Sequence, residues 1–153
     1  MQPGKGLMTL NILHKAMLAG QLIFAGIAFY MVYTNQVEFP MKENDRIFQI
    51  VSIVLAAGGF FAGVTLFKKK LQAIRDMNTD AKGKFAAYRS ACIMQWALIE
   101  GPCLFCLVAF FLIGNYSFLA LAVGLILLFI LQAPARAKVM IQLGLSEQEI
   151  DSL

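Results

Sequence analysis

Four long, uncharged apolar stretches dominate the hydrophobicity pattern of the chain. They cover about residues 16–33, 47–67, 90–114 and 118–135, and only Glu100 interrupts the third. Each is close to the roughly 20 residues that a helix needs to cross about 30 Å of hydrocarbon. Short polar breaks separate the stretches, and residues 114–117 are typical of a tight turn between antiparallel helices. The pattern predicts an all-α membrane protein with four transmembrane helices.

Composition supports lipid as the solvent of this protein. Of its 153 residues, 59% are hydrophobic and 14% are charged, and the mean hydropathy is +0.71. Soluble domains have about 45–50% and about 25% respectively. A soluble domain of this size could not bury so much apolar surface, because small domains keep a large fraction of their residues exposed. We therefore expect membrane lipid as a partner and no nucleic acid, since no nucleic-acid-binding motif is present.

Basic residues predict the orientation of the chain. Eleven of them precede the first stretch, join the second to the third or follow the fourth, whereas only Lys42 and Arg46 lie on the other side. The positive-inside rule places the eleven in the cytoplasm, together with both termini. Residues 68–89 are then a basic cytoplasmic loop and residues 136–153 a cytoplasmic tail. No cleavage site follows a short apolar run after Lys5, so no removable signal peptide is expected.

Local signals predict structure within the loop and the tail. Asn78-Thr79-Asp80 is a break and an N-cap between helices that extend out of the membrane. Gly144 is expected to end a helical extension, and Ser146 begins an S-x-x-E capping box for a short acidic helix. We expect this tail to be solvated rather than docked. The run Lys68, Lys69 and Lys70 is interpreted as a contact with anionic lipid headgroups.

A weak internal repeat relates the two halves of the chain. A shift of 81 residues aligns the first stretch with the third through six identities, five of which recur at every fourth position. A shift of 70 aligns the second with the fourth less well. We interpret this as two tandem helical hairpins in the same membrane orientation. Chance matching between apolar segments is the alternative. Small residues recur within the stretches and offer surfaces for close helix packing: Ala16, Gly20, Gly58, Gly59, Gly63, Gly101 and Ala109.

Glu100 is the residue that points most directly to chemistry. It lies about ten residues into the third stretch, roughly 15 Å from its start and near the middle of the bilayer. A carboxyl group there costs several kcal/mol, on the order of 3 on insertion scales, and is expected to be protonated and hydrogen bonded. Gly101 and Pro102 follow, and the proline frees the carbonyl of Leu98 and is expected to kink the helix. Glu100, Gly101, Pro102 and Gln21 form a candidate ion- or proton-binding site, and a neutral Glu100 that only bonds to a neighbouring helix is the structural alternative.

Cys103 and Cys106 form a C-x-x-C pair on one helix face. Redox use would need a thiolate near water and a partner disulfide, whereas this pair lies at mid-membrane depth. Packing as small hydrophobic side chains is the favoured interpretation. No metal site is expected, because His14 is the only histidine and should lie near the cytoplasmic boundary. No cofactor is predicted.

The string Ala97-Leu98-Ile99-Glu100-Gly101-Pro102 and the layout of the chain resemble small, uncharacterised four-span membrane proteins of bacteria. This resemblance covers most of the chain, implies the bacterial inner membrane and brings no known activity. The duplicated hairpin with one membrane carboxyl also resembles the proteolipid subunits of rotary ATPases. Those subunits carry the carboxyl on the second helix of a hairpin and are dense in Gly and Ala. Glu100 lies instead on the first helix of the second hairpin, so that likeness is architectural only.

Three functional hypotheses follow from the sequence. The first, which is favoured, is a non-enzymatic subunit or self-associating helical bundle, working as a homo-oligomer or within a larger membrane complex. The second is a proton- or ion-coupled transport site centred on Glu100. The third is a membrane thiol redox protein that uses Cys103 and Cys106. Four helices are too few for a conventional monomeric transporter, so transport would require an oligomer.

Overall fold

The computed structural model describes residues 4–152, which form six α-helices and one short 3₁₀ helix and include no strand. The prediction of an all-α protein is therefore confirmed for this part of the chain. The helices are α1 (Lys5–Tyr33), α2 (Asp45–Arg75), α3 (Ala81–Ile113), α4 (Tyr116–Leu131), α5 (Arg136–Leu143) and α6 (Glu147–Asp151), and the 3₁₀ helix Lys42–Asn44 precedes α2.

Three of these helices, α1, α2 and α3, are long and apolar enough to cross a membrane. The fourth predicted stretch differs, because α4 has 16 residues and ends at Leu131 instead of continuing to residue 135. Pro134 explains this end, since a proline cannot donate the next helical hydrogen bond and disfavours helix before it. The chain restarts as α5 at an angle of 69°, and α4 and α5 reach a spanning length only when taken together. Residues 4–152 thus contain three candidate spans, or four if the bent pair is one.

Local sequence signals predicted several helix ends correctly. Asp80 caps α3, and its carboxylate accepts a hydrogen bond from the Gly83 N–H at 2.9 Å. Gly114 ends α3 in a left-handed conformation (φ 75°), which glycine adopts without steric cost. Asn115 then caps α4, so the predicted turn is only two residues long. Gly144 ends α5 in the same way (φ 65°), and Ser146 and Glu149 form the predicted capping box.

Helix α3 occupies the centre of the bundle and contacts α1, α2 and α4. It runs antiparallel to α2, because Phe67 contacts Tyr88 whereas Phe48 contacts Phe105. Helix α3 is also antiparallel to α4, because Trp96 lies beside Phe129 whereas Phe110 lies beside Tyr116. Helix α1 is parallel to α3. The central position explains why α3 carries more buried residues than any other helix.

The first two helices do not pack against each other as a hairpin. Helix α1 makes its extensive contacts with α3 and α4, while α2 packs on α3 and α4. Loop length explains the difference between the two helix pairs. Gly114 and Asn115 alone join α3 to α4 and force them together, whereas residues 34–44 join α1 to α2 and can cross the end of the bundle. The two tandem hairpins remain a prediction, and the first pair lacks a hairpin interface.

Two glycines of α2 bring its backbone against α3. A Cβ atom on Gly59 would overlap the carbonyl oxygen of Leu98 and lie 2.8 Å from Cγ of Pro102. On Gly63 it would lie 3.4 Å from the carbonyl oxygen of Gln95. Small residues therefore do permit close packing here, as helix interfaces in membranes require. The glycines at positions 20, 58 and 101 instead face open space.

The C-terminal segment is docked on the bundle rather than solvated. Val139, Leu143 and Ile150 are buried in the same apolar core as residues of α1 and α3. Polar contacts fix the segment, since Arg75 donates a 2.7 Å hydrogen bond to the carbonyl of Gln142 and Tyr88 donates one of 2.7 Å to its side chain. The expectation of a solvated tail is therefore wrong. Helices α5 and α6 are too short for the spacing of their apolar residues to predict a docking face. We call this end of the molecule, which also carries residues 68–89, the basic end.

Candidate functional site

The candidate site lies where α1 meets α3. Glu100 is partly buried on α3, and its carboxyl lies beside the side chain of Gln21 on α1. Gln21 is fully buried, with 0% of its surface exposed. Neither its amide nitrogen nor its amide oxygen meets hydrogen-bond geometry with any group in the described residues. The structure thus brings together the two polar residues that the sequence singled out.

Helical geometry explains this pairing. Leu7, His14, Gln21 and Ala28 are buried on α1 at intervals of seven residues, which places them on one face. That face meets α3 in parallel register, because His14 contacts Trp96 and Gln21 lies beside Glu100. The Glu100–Gln21 pair is therefore fixed by the packing of two long helices rather than by a loop.

Gly101 and Pro102 do not belong to the same site. Successive residues on a helix point about 100° apart, so these two lie toward α2 while Glu100 lies toward α1. Pro102 does not interrupt α3. The carbonyl of Leu98, which Pro102 deprives of its helical donor, is covered by Gly59. Proline therefore shapes the α2–α3 contact and adds no open acceptor beside the carboxyl.

Cys103 and Cys106 are both completely buried and are free thiols. The Cys103 thiol lies 3.7 Å from the carbonyl oxygen of Ala122 on α4. Cys106 faces the buried hydroxyl of Ser52 on α2. A thiol in such surroundings has no route to water or to a partner disulfide, so the geometry gives the redox hypothesis no support.

The burial of His14 was not predicted from the sequence. Only 3% of its surface is exposed, and its Nε2 lies 3.0 Å from the carbonyl oxygen of Phe129. The imidazole stacks on the ring of Phe129 and contacts the edge of Trp96, at centroid distances of 4.6 and 4.9 Å. His14 thereby binds the last turn of α4. Its spacing of seven residues from Gln21 was the signal that could have placed it on the buried face.

The other candidate residues lie apart from the site. Lys68, Lys69 and Lys70 are exposed on the last turns of α2, at the basic end. Within residues 4–152, no three His, Cys, Asp or Glu side chains lie close enough together to hold a metal ion. Comparison with protein-family models, with curated proteins and with solved structures found no match for this chain.

Proposed function

We propose that the protein is a non-enzymatic subunit of the bacterial inner membrane that spans it four times and binds a proton at Glu100. The α4–α5 break at residues 132–135 would then lie at the cytoplasmic boundary, and α5 and α6 in the cytoplasm. Both termini and the basic end would face the cytoplasm, which agrees with the excess of basic residues there. The exposed Lys68, Lys69 and Lys70 would contact anionic headgroups.

The unpartnered amide of Gln21 carries this proposal. A buried amide has one group that must donate and one that must accept, and leaving them unpaired costs about 1–3 kcal/mol. An ionised carboxylate can only accept hydrogen bonds, whereas a protonated carboxyl group can donate one and accept another. Protonated Glu100 is therefore the state that can satisfy both amide atoms of Gln21 with a small adjustment of either side chain.

The donor set at Glu100 fits a proton better than a metal cation. One carboxyl group and the side-chain amide of Gln21 meet at the site, whereas calcium takes six to eight oxygen ligands and magnesium six. The nearby thiol of Cys103 is buried among apolar residues. Proton binding needs only the carboxyl group.

The partly exposed position of Glu100 also supports a role as a subunit. Three helices, α1, α2 and α4, pack around α3, and Glu100 lies at the edge of the α1–α3 contact. Movement of a proton to and from this edge would require a second copy or another membrane protein. The favoured subunit hypothesis and the proton-site hypothesis are thus compatible, and we propose them together.

Covalent labelling tests the protonation state of Glu100. A lipid-soluble carbodiimide adds to a protonated carboxyl group within the bilayer and is detected by the mass of the intact chain. We expect one adduct at neutral pH in wild-type protein in liposomes and none in Glu100→Gln. Glu38→Gln is the matched control, because Glu38 is exposed in the loop between α1 and α2, and this variant should keep the adduct. An adduct that survives in Glu100→Gln, or is absent from wild type, would overturn the proposal.

Proton movement is a second measurement on the same variants. With a pH gradient across liposomes that contain the protein and a pH-sensitive dye inside, Glu100→Gln should abolish any protein-dependent flux. Oligomeric mass in the same lipid should remain unchanged. If wild type and Glu100→Gln carry equal flux above empty liposomes, Glu100 is not the coupling residue. If labelling succeeds and neither protein carries flux, the proton-binding site stands and a partner protein must complete the path.

A further inference from the structure

A lipid-facing groove runs between α2 and α3 on the side of the molecule away from α1. Its volume is about 700 Å³, and its lining is apolar, including Leu55, Gly58, Ala62, Ala97, Gly101 and Phe105. The close approach at Gly59 forms the floor, and the absence of side chains at Gly58 and Gly101 keeps it open. The groove has the width and chemistry that an acyl chain or an apolar helix would fill.

A second cavity, of about 260 Å³, continues between the same two helices at the basic end. Lys70 and Ala73 of α2, Met77 of the following loop, and Ala87 and Ser90 of α3 line it. On α2 the two cavities are lined by successive residues of the surface beside α3, with Gly58 and Ala62 in the first and Lys70 in the second. On α3, Ser90, Ala97 and Gly101 are separated by seven and four residues and share one face of that helix. The two cavities therefore lie on one side of the bundle, one apolar and the other with a cation at its rim.

The distance between the two cavities matches the depth of one membrane leaflet. Ala62 lies eight residues before Lys70, and Gly58 lies twelve residues before it. These separations correspond to about 12 and 18 Å along a helix. One leaflet contributes about 15 Å of hydrocarbon. A lipid whose head lies at Lys70 would therefore place its acyl chain beside Gly58 and Ala62.

The charge at the rim selects among possible lipids. Lys70 and the Ser90 hydroxyl can both donate hydrogen bonds to a phosphate, and exposed Lys69 and Arg89 are their chain neighbours. Each cationic side chain near an anionic leaflet raises the affinity for anionic lipid about fivefold. We propose that this groove binds one anionic phospholipid of the cytoplasmic leaflet, with its phosphate at Lys70 and Ser90 and an acyl chain between α2 and α3. This site is separate from Glu100 and does not depend on proton binding there, but it rests on the membrane orientation proposed above.

Native mass spectrometry of the full chain, released from nanodiscs of phosphatidylglycerol or phosphatidylcholine, tests the proposal. Wild type should retain one phosphatidylglycerol in preference to phosphatidylcholine. Lys70→Gln should lower that retention about fivefold. Lys15→Gln, which removes an exposed lysine at the same end of α1, should not. Equal losses in the two variants would show a general effect of surface charge and would overturn the site.

Filling the groove tests the acyl chain separately. Gly58→Leu should lower retention of both lipids, whereas Gly26→Leu should leave it unchanged, because Gly26 faces open space on α1. Retention unaffected by Gly58→Leu would exclude the groove as the acyl-chain site. If Gly58→Leu instead converts an oligomer to a monomer while the bound lipid persists, a second copy occupies the groove and the proposal is wrong.

Discussion

Gly58 and Gly59 are neighbours in sequence, yet their surroundings give opposite expectations for the same substitution. Gly59→Ala would force a methyl group against the Leu98 carbonyl and the Pro102 ring. Overpacking of this kind costs about 1–3 kcal/mol, and here the backbone of α3 is the obstacle. We expect a lower free energy of unfolding, measured by reversible denaturation in mixed micelles.

Gly58→Ala is the matched control for that prediction. No atom lies within 4 Å of a Cβ at this position, so the substitution adds helix propensity without a clash. The expected result is a neutral change or a gain of up to about 1 kcal/mol. Equal destabilisation by the two substitutions would mean that the close approach at Gly59 does not form.

The pairing of Gln21 with Glu100 can be measured by a double-mutant cycle. Gln21→Leu removes the amide, Glu100→Leu removes the carboxyl, and the double variant removes both. Residues that share a hydrogen bond show coupling energies of about 0.5–3 kcal/mol. We expect coupling in this range at neutral pH, measured as the difference in unfolding free energy across the four proteins. Additive effects would contradict the hydrogen-bonded pair on which the proposed function depends.

Asn115 links two helices at the end of the bundle opposite the basic end. Its side-chain oxygen accepts a 3.0 Å hydrogen bond from the Ser117 N–H, and its nitrogen donates to both carboxylate oxygens of Asp45, at 3.1 and 2.9 Å. Asn115→Ala loses the cap of α4 and the bonds to α2, so we expect a cost of about 1–3 kcal/mol in unfolding free energy. Asn115→Ser keeps an N-cap oxygen but not the link to Asp45 and should fall between wild type and alanine. Equal stability of all three proteins would contradict the link.

The cap of α6 should depend on pH. Hydrogen bonds from the Ser146 N–H and hydroxyl, each 2.8 Å long, hold the pKa of the Glu149 carboxyl below its usual range. Because this pKa is lowered, the cap stabilises α6 fully at pH values above the ordinary glutamate pKa of about 4.3. The stabilisation is lost as the pH falls through the lower pKa of the folded protein. Amide hydrogen exchange at Ser146, corrected for its intrinsic pH dependence, should therefore speed up under acid. Glu149→Gln should remove this pH dependence, and a wild type that shows none would contradict the prediction.

The ends of helices were more predictable than their contacts. Asp80, Gly114 and Ser146 are local signals, and each caps a helix as expected because capping needs only neighbouring backbone groups. The early end of α4 also has a local cause in Pro134, but the uninterrupted hydrophobicity of the stretch concealed it. Which faces of α1 and α2 meet α3 depends on tertiary packing. The sequence does not indicate these faces, because both helices carry apolar side chains on all sides.

The same distinction applies to the candidate site. An intramembrane carboxyl is rare enough for Glu100 to be conspicuous in the sequence, and Gln21 is one of few polar residues able to reach it. Proximity in sequence misled the assignment of Gly101 and Pro102, since adjacent helical residues face different neighbours. His14 was expected near a boundary, and its burial, which the spacing of seven residues from Gln21 indicates, was not predicted.

For the molecule as a whole, membrane sidedness is a direct prediction. With the basic end in the cytoplasm, a cysteine introduced by Lys42→Cys should react with a membrane-impermeant maleimide added outside spheroplasts. A cysteine introduced by Lys69→Cys should react only after lysis. Cys92, Cys103 and Cys106 are buried and should give little background, which the wild-type chain will show. Labelling of Lys69→Cys from outside would reverse the orientation and place the proposed lipid site in the opposite leaflet.

The separation of α1 from α2 has a consequence for biosynthesis. In the proposed topology, a nascent chain that has inserted only these two helices forms little interface between them, so each lies in the bilayer as an individual span. During that interval His14 and Gln21 have none of their native neighbours, because those belong to α3 and α4. The first half of the chain therefore depends on the second for its tertiary structure.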